Sequence, residues 1–363
     1  MTHVYINGTG IISPQETFDT ALFLENPVIP VSNRLRCVEP VYREFIPAEM
    51  IRRMGRVIKM GVAASKCCLK DAGTGDGSGV ALEIIPEMII TGTGLGCVED
   101  TEKFLTSMIV NREEFLTPTS FIQSTHNTVA GQIALLLKCH GYNFTYVHRG
   151  ISFESALIDA MTQLQTGAVS NVLAGATDEL TNHSFAITSR MGYWKQKLVG
   201  TTGLLNDPRR GSIAGEGASF FFLENQQVPN TYAELRGIAT MLRPESLQEI
   251  RNRLHSFLGT FGLTAGDISV VLLGLNGDPR HDRIYRDLAR SEFDGVPQAF
   301  YKHLCGEYHT ASSFAMWLGS KIIKRQHVPP VTMLNHAPGS IEHVLIYNHF
   351  RENNHAFILL SRP

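Results

Sequence analysis

Short apolar runs alternate with longer segments of helical periodicity through the first two thirds of the chain. Four runs are bounded by glycine or proline and have the composition of strands: 4–6, 88–91, 171–174 and 220–224. Three segments between them carry apolar residues close to helical spacing: 51–72, 129–137 and 152–164. Strands that alternate with helices predict β-α-β units with parallel strands.

The last third of the chain repeats this rhythm. Segments 232–239, 268–274 and 355–360 have strand patterns, whereas 246–258 and 311–324 have helical patterns. We find no short-period repeat, no low-complexity segment and no long linker. The pattern therefore predicts an α/β chain whose two lobes share one compact unit.

Size and charge narrow the class of protein. The 363 residues suit two domains or one two-lobed domain, and they are enough to bury a large core. Only 18% of the residues are charged, which is compatible with a large subunit interface because interface cores are depleted of charge. The formal net charge of -2 provides no basic field, so neither nucleic acid nor a membrane is expected as a partner.

The six cysteines and the N-terminus predict a cytoplasmic protein. The cysteines form neither a paired framework nor a Cys-x-x-Cys motif, which is typical of reduced, mostly buried thiols. The N-terminus lacks the basic and apolar regions of a signal peptide. No apolar run approaches the ~20 residues of a membrane-spanning helix.

Several motifs occur in the order in which β-ketoacyl-ACP synthases carry them, and the chain resembles this branch of the thiolase superfamily. The most specific is Asp207-Pro-Arg-Arg-Gly-Ser-Ile-Ala-Gly-Glu-Gly-Ala218, followed by a strand that ends at Glu224. The others are Arg53-Met-Gly-Arg56, Thr91-Gly-Thr-Gly-Leu-Gly96 and Asn127-Thr-Val-Ala-Gly-Gln-Ile-Ala134. The resemblance implies the thiolase fold, an α/β fold with two duplicated βαβαβαββ halves in an α-β-α-β-α layered sandwich. It places the N-terminal half, with helical insertions, at residues 1–225 and the C-terminal half at 226–363.

Segment 141–156 resembles the nucleophile region of that family. In the family a strand ends on a cysteine, a helix follows, and the next strand ends in Ala-Gly-Gly-x-(Asp/Glu). With Ala174-Gly-Ala176 as the second landmark, the nucleophile position falls on Gly150. Glycine has no side chain and cannot form a thioester, so the resemblance implies that the nucleophile is replaced.

The resemblance implies that both catalytic histidines are replaced as well. In the family they polarise the malonyl thioester and stabilise the charge that develops on decarboxylation. The loop that carries the first histidine corresponds to 274–282, which puts Gly274 at the histidine position. The Lys-x-x-x-Gly-His motif corresponds to 302–307, which retains Lys302 and puts Glu307 at the second histidine position. The Gly-Phe-Gly-Gly loop of the oxyanion hole corresponds to 350–354, which has no glycine.

These replacements argue against catalysis of the family's type. Loss of the nucleophile alone raises the activation barrier by roughly 5 kcal/mol or more, and a carboxylate at Glu307 would repel a developing enolate.

His148 is the possible substitute base, because on a strand it would share a face with Gly150. A histidine at an interface is the alternative interpretation of His148. For Lys302 we expect a structural ion pair, with Glu307 as a candidate partner, and for Cys97 a packed thiol.

A metal site was considered for His303, Cys305, Glu307 and His309, which alternate with period two. In an extended segment they would line one face and could bind zinc. The resemblance instead places this segment in a loop near the catalytic site. We therefore expect no metal and no other cofactor.

Segment 118–127 contains the candidate interface. In the family the matching loop approaches the partner's acyl pocket across the dimer interface. Phe121, Ile122 and Gln123, together with Asn127, are therefore candidates for setting the depth of a pocket in a neighbouring subunit. Ordinary interface packing is the alternative.

These observations favour a non-catalytic subunit similar to the chain length factors of aromatic polyketide and aryl-polyene systems. Such a subunit pairs with an active ketosynthase and shapes the tunnel for a chain that grows on acyl carrier protein. Two alternatives stay open: a divergent active 3-oxoacyl-ACP synthase or malonyl decarboxylase, and a homodimeric scaffold that binds acyl groups or carrier proteins. An open apolar channel to His148 would favour the first alternative, and a stable homodimer would favour the second.

Overall fold

The computed structural model of the chain describes residues 2–17, 23–73 and 84–363. Its strands are β1 (Tyr5–Ile12), β2 (Val31–Ser32), β3 (Ile89–Gly92), β4 (Asn143–Tyr146), β5 (Asn171–Asp178), β6 (Val199–Gly200), β7 (Gly217–Glu224), β8 (Ala233–Leu242), β9 (Val270–Leu273), β10 (Gln298–Phe300), β11 (His343–Phe350) and β12 (Asn354–Ser361).

Three of the α-helices in the same ranges are only one or two turns long. In chain order the α-helices are α1 (Ala48–Ile51), α2 (Arg56–Gly73), α3 (Val98–Val110), α4 (Pro118–Gln123), α5 (Thr128–Leu137), α6 (Ser152–Gln165), α7 (Asn182–Arg190), α8 (Leu247–Gly259), α9 (Pro279–Glu292), α10 (Lys302–Cys305) and α11 (Ser312–Arg325).

One ten-stranded sheet contains two halves of identical topology. The strand order is β10-β9-β11-β12-β8-β1-β7-β5-β3-β4. In the N-terminal half, β3 pairs in parallel with β4 and β5, while β7 runs antiparallel to β5 and β1. In the C-terminal half, β9 pairs in parallel with β10 and β11, while β12 runs antiparallel to β11 and β8. The halves meet where β1 pairs with β8, at Tyr5–Glu234 and Ile6–Ala233. This repetition confirms the predicted duplication.

Three hydrophobic cores separate the half-sheets from their helices. The core on the outer face of the N-terminal half contains Ile58 of α2. The central core lies between the half-sheets and contains Phe153 of α6 and Phe314 of α11. The core on the outer face of the C-terminal half contains Leu254 of α8 and Tyr285 of α9. The layers are therefore α-β-α-β-α, and the predicted thiolase fold is confirmed.

Glycines let α2 lie directly on β1. A Cβ at Gly8 would lie 2.6 Å from the Cys68 carbonyl oxygen, and one at Gly10 would lie 2.9 Å from Cys68 Cα.

The predicted start of helix α2 at residue 51 is wrong, because α1 ends there and α2 begins at Arg56. Gly55, between the two helices, lies against the Asp100 carboxylate, where a larger residue would not fit.

The other predicted elements are present; β1 extends to Ile12 and β5 to Asp178, well beyond the predicted 4–6 and 171–174, and the rest differ by a few residues at their ends. For example, the helix predicted at 246–258 is α8, and Ser246 caps it by accepting a hydrogen bond from the Glu249 amide at 3.2 Å. All six cysteines are buried and free, as predicted. No helix within the described ranges has the length and apolarity needed to cross a bilayer.

Candidate active site

Gly150 lies buried between β4 and α6, in one turn of 3₁₀-helix at Arg149–Ile151. The space in front of it is filled by the β11–β12 hairpin. A Cβ at position 150 would overlap Phe350 Cβ, and it would lie 2.9 Å from Phe350 Cγ and 3.3 Å from Asn354 Cβ. The position therefore has no room for a cysteine unless the hairpin moves.

His309 holds Phe350 in this position. The two rings stack with their centroids 4.4 Å apart. On its other side His309 approaches Gly94, where a Cβ would lie 2.7 Å from His309 Nδ1. Burial lowers the pKa of His309, which the Asp178 carboxylate only partly opposes. His309 is thus a neutral packing residue rather than a free cation.

Lys302 and Glu307 form the buried ion pair expected from the sequence. Lys302 Nζ lies 2.8 and 3.0 Å from the two carboxylate oxygens of Glu307, and both residues are buried. Asn276 Nδ2 donates a third hydrogen bond to this carboxylate at 2.7 Å. With both of its oxygens occupied, the Glu307 carboxylate is held as an acceptor and is not free to act as a base.

Gly274 follows β9 directly, and a side chain does not fit there either. A Cβ would overlap Asn348 Oδ1 and would lie 2.6 Å from the Tyr285 hydroxyl. Two residues later, the side-chain amide of Asn276 donates to Glu307, and its backbone N–H donates to Asp282 Oδ1 at 2.8 Å. Burial raises the pKa of Asp282 to about 6. Sequence reasoning did not single out Asn276, although it lies inside the loop that the motif spacing had identified.

Asp178 ties this region of the two halves together. Its Oδ1 accepts hydrogen bonds from the Thr93 hydroxyl at 3.0 Å and the Gly94 amide at 2.8 Å. Its Oδ2 accepts from the hydroxyl and the amide of Thr310, at 2.8 and 3.1 Å. These bonds fix the loop that carries Glu307 and His309 against the end of β3.

The space left among these residues is small. A cavity of about 50 Å³ is lined by Glu307, His309 and Phe350, and it reaches Tyr193. Such a volume holds a few water molecules. The guanidinium of Arg351 lies 3.5 Å from the centroid of the Tyr193 ring and covers the same side of the site. The arrangement has no room for an acyl chain.

His148 does not share a face with Gly150, and that part of the prediction is wrong. Strand β4 ends at Tyr146 and the chain then turns into the 3₁₀-helix. His148 is consequently exposed, with its Nδ1 2.9 Å from Ser155 Oγ, whereas Gly150 is buried. The surface beside His148 is an open groove lined with arginines rather than an apolar channel.

Cys97 is a buried thiol, as expected. Burial raises its pKa, and the nearby carboxylates of Glu179 and Asp100 raise it further. A thiol in this setting stays protonated and is a poor nucleophile. Cys97 is therefore not a candidate nucleophile.

The extended arrangement considered for a metal site is absent. Residues 302–305 form α10, so His303 and Cys305 do not alternate with Glu307 along one strand. His303 instead stacks on Phe300 and hydrogen-bonds the Val331 carbonyl group at 2.9 Å. In the part of the chain that the structure describes, no group of three His, Cys, Asp or Glu residues could hold a metal ion.

The candidate interface segment is partly helical and exposed. Phe121 and Ile122 lie on α4, with 55% and 61% of their surface exposed. Gln123 donates its side-chain amide to the Arg53 carbonyl oxygen, and Asn127 occupies the N-cap position of α5. Phe121 and Ile122 are thus available to another protein, whereas Gln123 is already bonded within this chain.

Residues 36–228 match the family model for the β-ketoacyl synthase N-terminal domain. No curated protein matched the sequence.

Solved structures with a similar fold match this chain over its full length. A β-ketoacyl synthase from Burkholderia phymatum STM815 is 19% identical, with 100% of both chains covered and a TM-score of 0.78. A ketosynthase in complex with its chain length factor from Xenorhabdus doucetiae is 14% identical over 100% of this chain and 98% of that chain, with a TM-score of 0.77. A type II polyketide acyl carrier protein in complex with its ketosynthase is 15% identical over 100% and 99%, with a TM-score of 0.73. At these identities the likeness concerns the fold.

Proposed function

The chain belongs to the β-ketoacyl synthase family, and on that premise we propose that it is a non-catalytic subunit of the chain-length-factor type. It pairs with an active ketosynthase that works on acyl carrier protein. The observation that supports the proposal is the filled space at Gly150, the predicted nucleophile position, where a Cβ would overlap Phe350 Cβ.

The surroundings of Gly274 and Glu307, the predicted histidine positions, support the same function. Gly274 has no space for a side chain, and Glu307 is neutralised by Lys302 inside the protein. A ketosynthase reaction needs groups that stabilise developing negative charge on the substrate. Since Lys302 is bound to Glu307 and Asn276 donates to the same carboxylate, neither is free to stabilise a substrate oxyanion.

An exposed apolar surface supports a partner subunit. Strand β4 is the edge of the sheet, so one side of its backbone has no neighbouring strand in the described chain. Exposed apolar residues surround it on β4, α5, α6 and the adjoining loops; we call them the β4 face, and they are Leu135, Tyr142, Phe144, Val147 and Ile158. An uncovered edge strand with aromatic neighbours is prone to aggregate, and a protein partner that covers it removes this hazard.

Phe121 and Ile122 extend the surface that a partner could use. Phe121 packs on Phe104 of α3, with the ring centroids 5.2 Å apart, so its exposed position is fixed. A rigid apolar side chain can limit the depth of a pocket in a neighbouring subunit. This is how the chain would influence product length without a reaction of its own.

The test is co-purification of the tagged chain with ketosynthases encoded near it, followed by a condensation assay with malonyl-ACP. We expect condensation only when both proteins are present, and the same rate with His148→Ala in this chain. Condensation or decarboxylation by this chain alone would establish the divergent enzyme instead. A stable homodimer that ignores every ketosynthase would favour the scaffold.

A further inference from the structure

An open cavity of about 590 Å³ lies between α3 and the start of α7. Its lining also includes Glu179, which follows β5, and two arginines, Arg36 and Arg56. The three predicted catalytic positions lie outside this lining. We call it the α3–α7 cavity.

Most charged side chains of this lining already have a partner within the chain. These contacts join Lys103 to Glu99, Arg56 to Glu216 and His183 to Glu102. Within the described ranges, Arg36 and Glu179 form no ion pair. The cavity therefore contains one cationic and one acidic side chain that each lack a counter-ion.

Glu179 is the acidic end of the cavity. It is 7% exposed, and its Oε1 accepts a hydrogen bond from the Glu99 N–H at 3.0 Å. No described residue donates to its Oε2, so this oxygen is available to a donor in the cavity. Burial raises the pKa of Glu179 to about 7, and the nearby carboxylates of Glu99 and Asp100 add to this effect. The Glu99 N–H and the charge of Arg56 oppose only part of it, so a bound cation is needed to hold the carboxylate ionised.

Arg36 is the cationic end. It is exposed, and its Nη2 donates to Asn182 Oδ1 at 3.2 Å, while Arg34 Nη1 donates to the same oxygen at 2.7 Å. Arg34 likewise has no ion pair among the described residues. Two neighbouring guanidinium groups thus share a neutral acceptor, an arrangement that favours the binding of an anion.

We propose that the α3–α7 cavity binds a small zwitterion of the amino acid class, with its ammonium group on Glu179 and its carboxylate on Arg36. A carboxylate matches a guanidinium in a bidentate manner. A ligand with only one of the two charges would leave either Arg36 or Glu179 without a counter-ion. Side chains of Thr106 and Ser107 make the wall polar, which suits a hydrophilic ligand together with water. The proposal does not depend on pairing with a ketosynthase.

The test is calorimetric titration of the full-length protein at low ionic strength and pH 8. The probes are L-serine, ethanolamine, which lacks the carboxylate of serine, and 3-hydroxypropanoate, which lacks its ammonium group. A second set, 5-aminopentanoate, pentylamine and pentanoate, has a longer distance between the charges. We expect at least one zwitterion to bind tenfold or more tightly than both of its singly charged analogues, and added salt to weaken this binding.

The contrary results are distinct. If neither zwitterion binds, the proposal is overturned. If an amine binds as tightly as its zwitterion, the cavity is a site for cations and Arg36 has no role in it. If a carboxylate without the ammonium group binds as tightly, the cavity is a site for anions and Glu179 has no role in it.

Glutamine variants separate binding from folding. Glu179→Gln and Arg36→Gln each remove one charge, and each should weaken binding of the zwitterion roughly tenfold or more. At pH 8, above the raised pKa of Glu179, the ionised carboxylate destabilises the folded state, so Glu179→Gln should melt at the parent's temperature or higher without ligand. Arg36 is exposed, so Arg36→Gln should melt like the parent.

Two exposed residues outside the cavity provide matched controls. Arg253→Gln on α8 and Glu114→Gln after α3 make the same chemical changes and should leave binding unchanged. Unchanged affinity in either Glu179→Gln or Arg36→Gln would overturn the proposal, because both charges are required.

Discussion

Glu154 is buried in the protein one turn into α6, and its ionisation should weaken the fold. It is 0% exposed, and within the described structure neither carboxylate oxygen has a hydrogen-bond partner. Burial raises its pKa from 4.5 to about 7, and the neighbouring Ser312 hydroxyl, the backbone N–H of Glu154 and the charge of Lys302 offset only part of this effect. We predict that Glu154→Gln stabilises the protein at alkaline pH.

The magnitude follows from proton linkage. The folded state binds the proton of Glu154 more tightly than the unfolded state, so the penalty is absent below pH 4.5 and complete above about pH 7. The difference between these pKa values corresponds to about 3 kcal/mol. Glu154→Gln keeps the shape of the side chain without the charge. It should therefore raise the free energy of unfolding by up to about 3 kcal/mol at pH 8 and leave it nearly unchanged at pH 4.5.

The assay is urea unfolding followed by tryptophan fluorescence at both pH values. Comparison of the variant with the parent at each pH cancels the other titrating groups, among them Glu179, whose pKa burial also raises to about 7. Glu114→Gln, at an exposed glutamate, serves as the control and should have no effect at either pH. A Glu154→Gln protein that is less stable than the parent at pH 8 would refute the reasoning, because it would show that the ionised carboxylate is stabilised.

Three further predictions test the site and the interface. Gly150→Ala should lower the free energy of unfolding by about 1–3 kcal/mol, because its Cβ overlaps Phe350 Cβ; chemical unfolding measures this, and Phe350→Gly, which removes that Cβ, should cost less in the Gly150→Ala protein than in the parent. Lys302→Met should cost about 3–5 kcal/mol, because it leaves the Glu307 carboxylate buried without its cation; Lys302→Met with Glu307→Leu should cost less than Lys302→Met alone in the same unfolding assay. Leu135→Glu on the β4 face should abolish co-purification with a ketosynthase while it changes the free energy of unfolding by less than about 0.5 kcal/mol, because Leu135 is 64% exposed.

Each of these predictions has a distinct contrary result. If Gly150→Ala unfolds like the parent, the hairpin yields easily and the site is not tightly filled. If the paired replacement at 302 and 307 is as destabilising as the single one, the two side chains act independently. For the interface, Leu198→Glu is the matched control, because Leu198 is 59% exposed and lies outside the β4 face. Equal loss of co-purification with both variants would count against a specific surface.

Apolar patterning predicted the elements that are buried on both sides. Strands β5 and β7 and helix α11 lie between other layers, so their sequences are continuous in apolar residues and easy to recognise. Strand β4 was not recognised from its pattern, because it is an edge strand whose residues are exposed or half-buried. Helix α9 was missed because polar residues dominate it, although Asp278 at the N-cap and Pro279 after it are a recognisable helix start.

Motif spacing predicted one contact of the site, the Lys302–Glu307 pair, but not the contact between Phe350 and Gly150. The lysine, glycine and glutamate of 302–307 are adjacent in sequence, so the Lys302–Glu307 pair was within reach of prediction. The contact of Phe350 with Gly150 joins residues 200 positions apart, and it depends on the register of β11 with β12, in which Phe350 pairs with Asn354. Sequence patterns alone determine neither this register nor a contact between such distant residues.

The residues around Gly150 form a chain of mutual contacts, and this bears on the proposed loss of the nucleophile at that position. Gly94 leaves space for His309, His309 stacks on Phe350, and Phe350 fills the space beside Gly150. A side chain at 150 would displace Phe350 and break its stacking with His309, so substitutions at these positions should be strongly non-additive. Replacement of Gly150 by cysteine alone would therefore strain the hairpin rather than present a thiol. Space for a nucleophile requires a simultaneous change at Phe350, so the proposed loss of the nucleophile would involve this packed group of residues rather than one position alone.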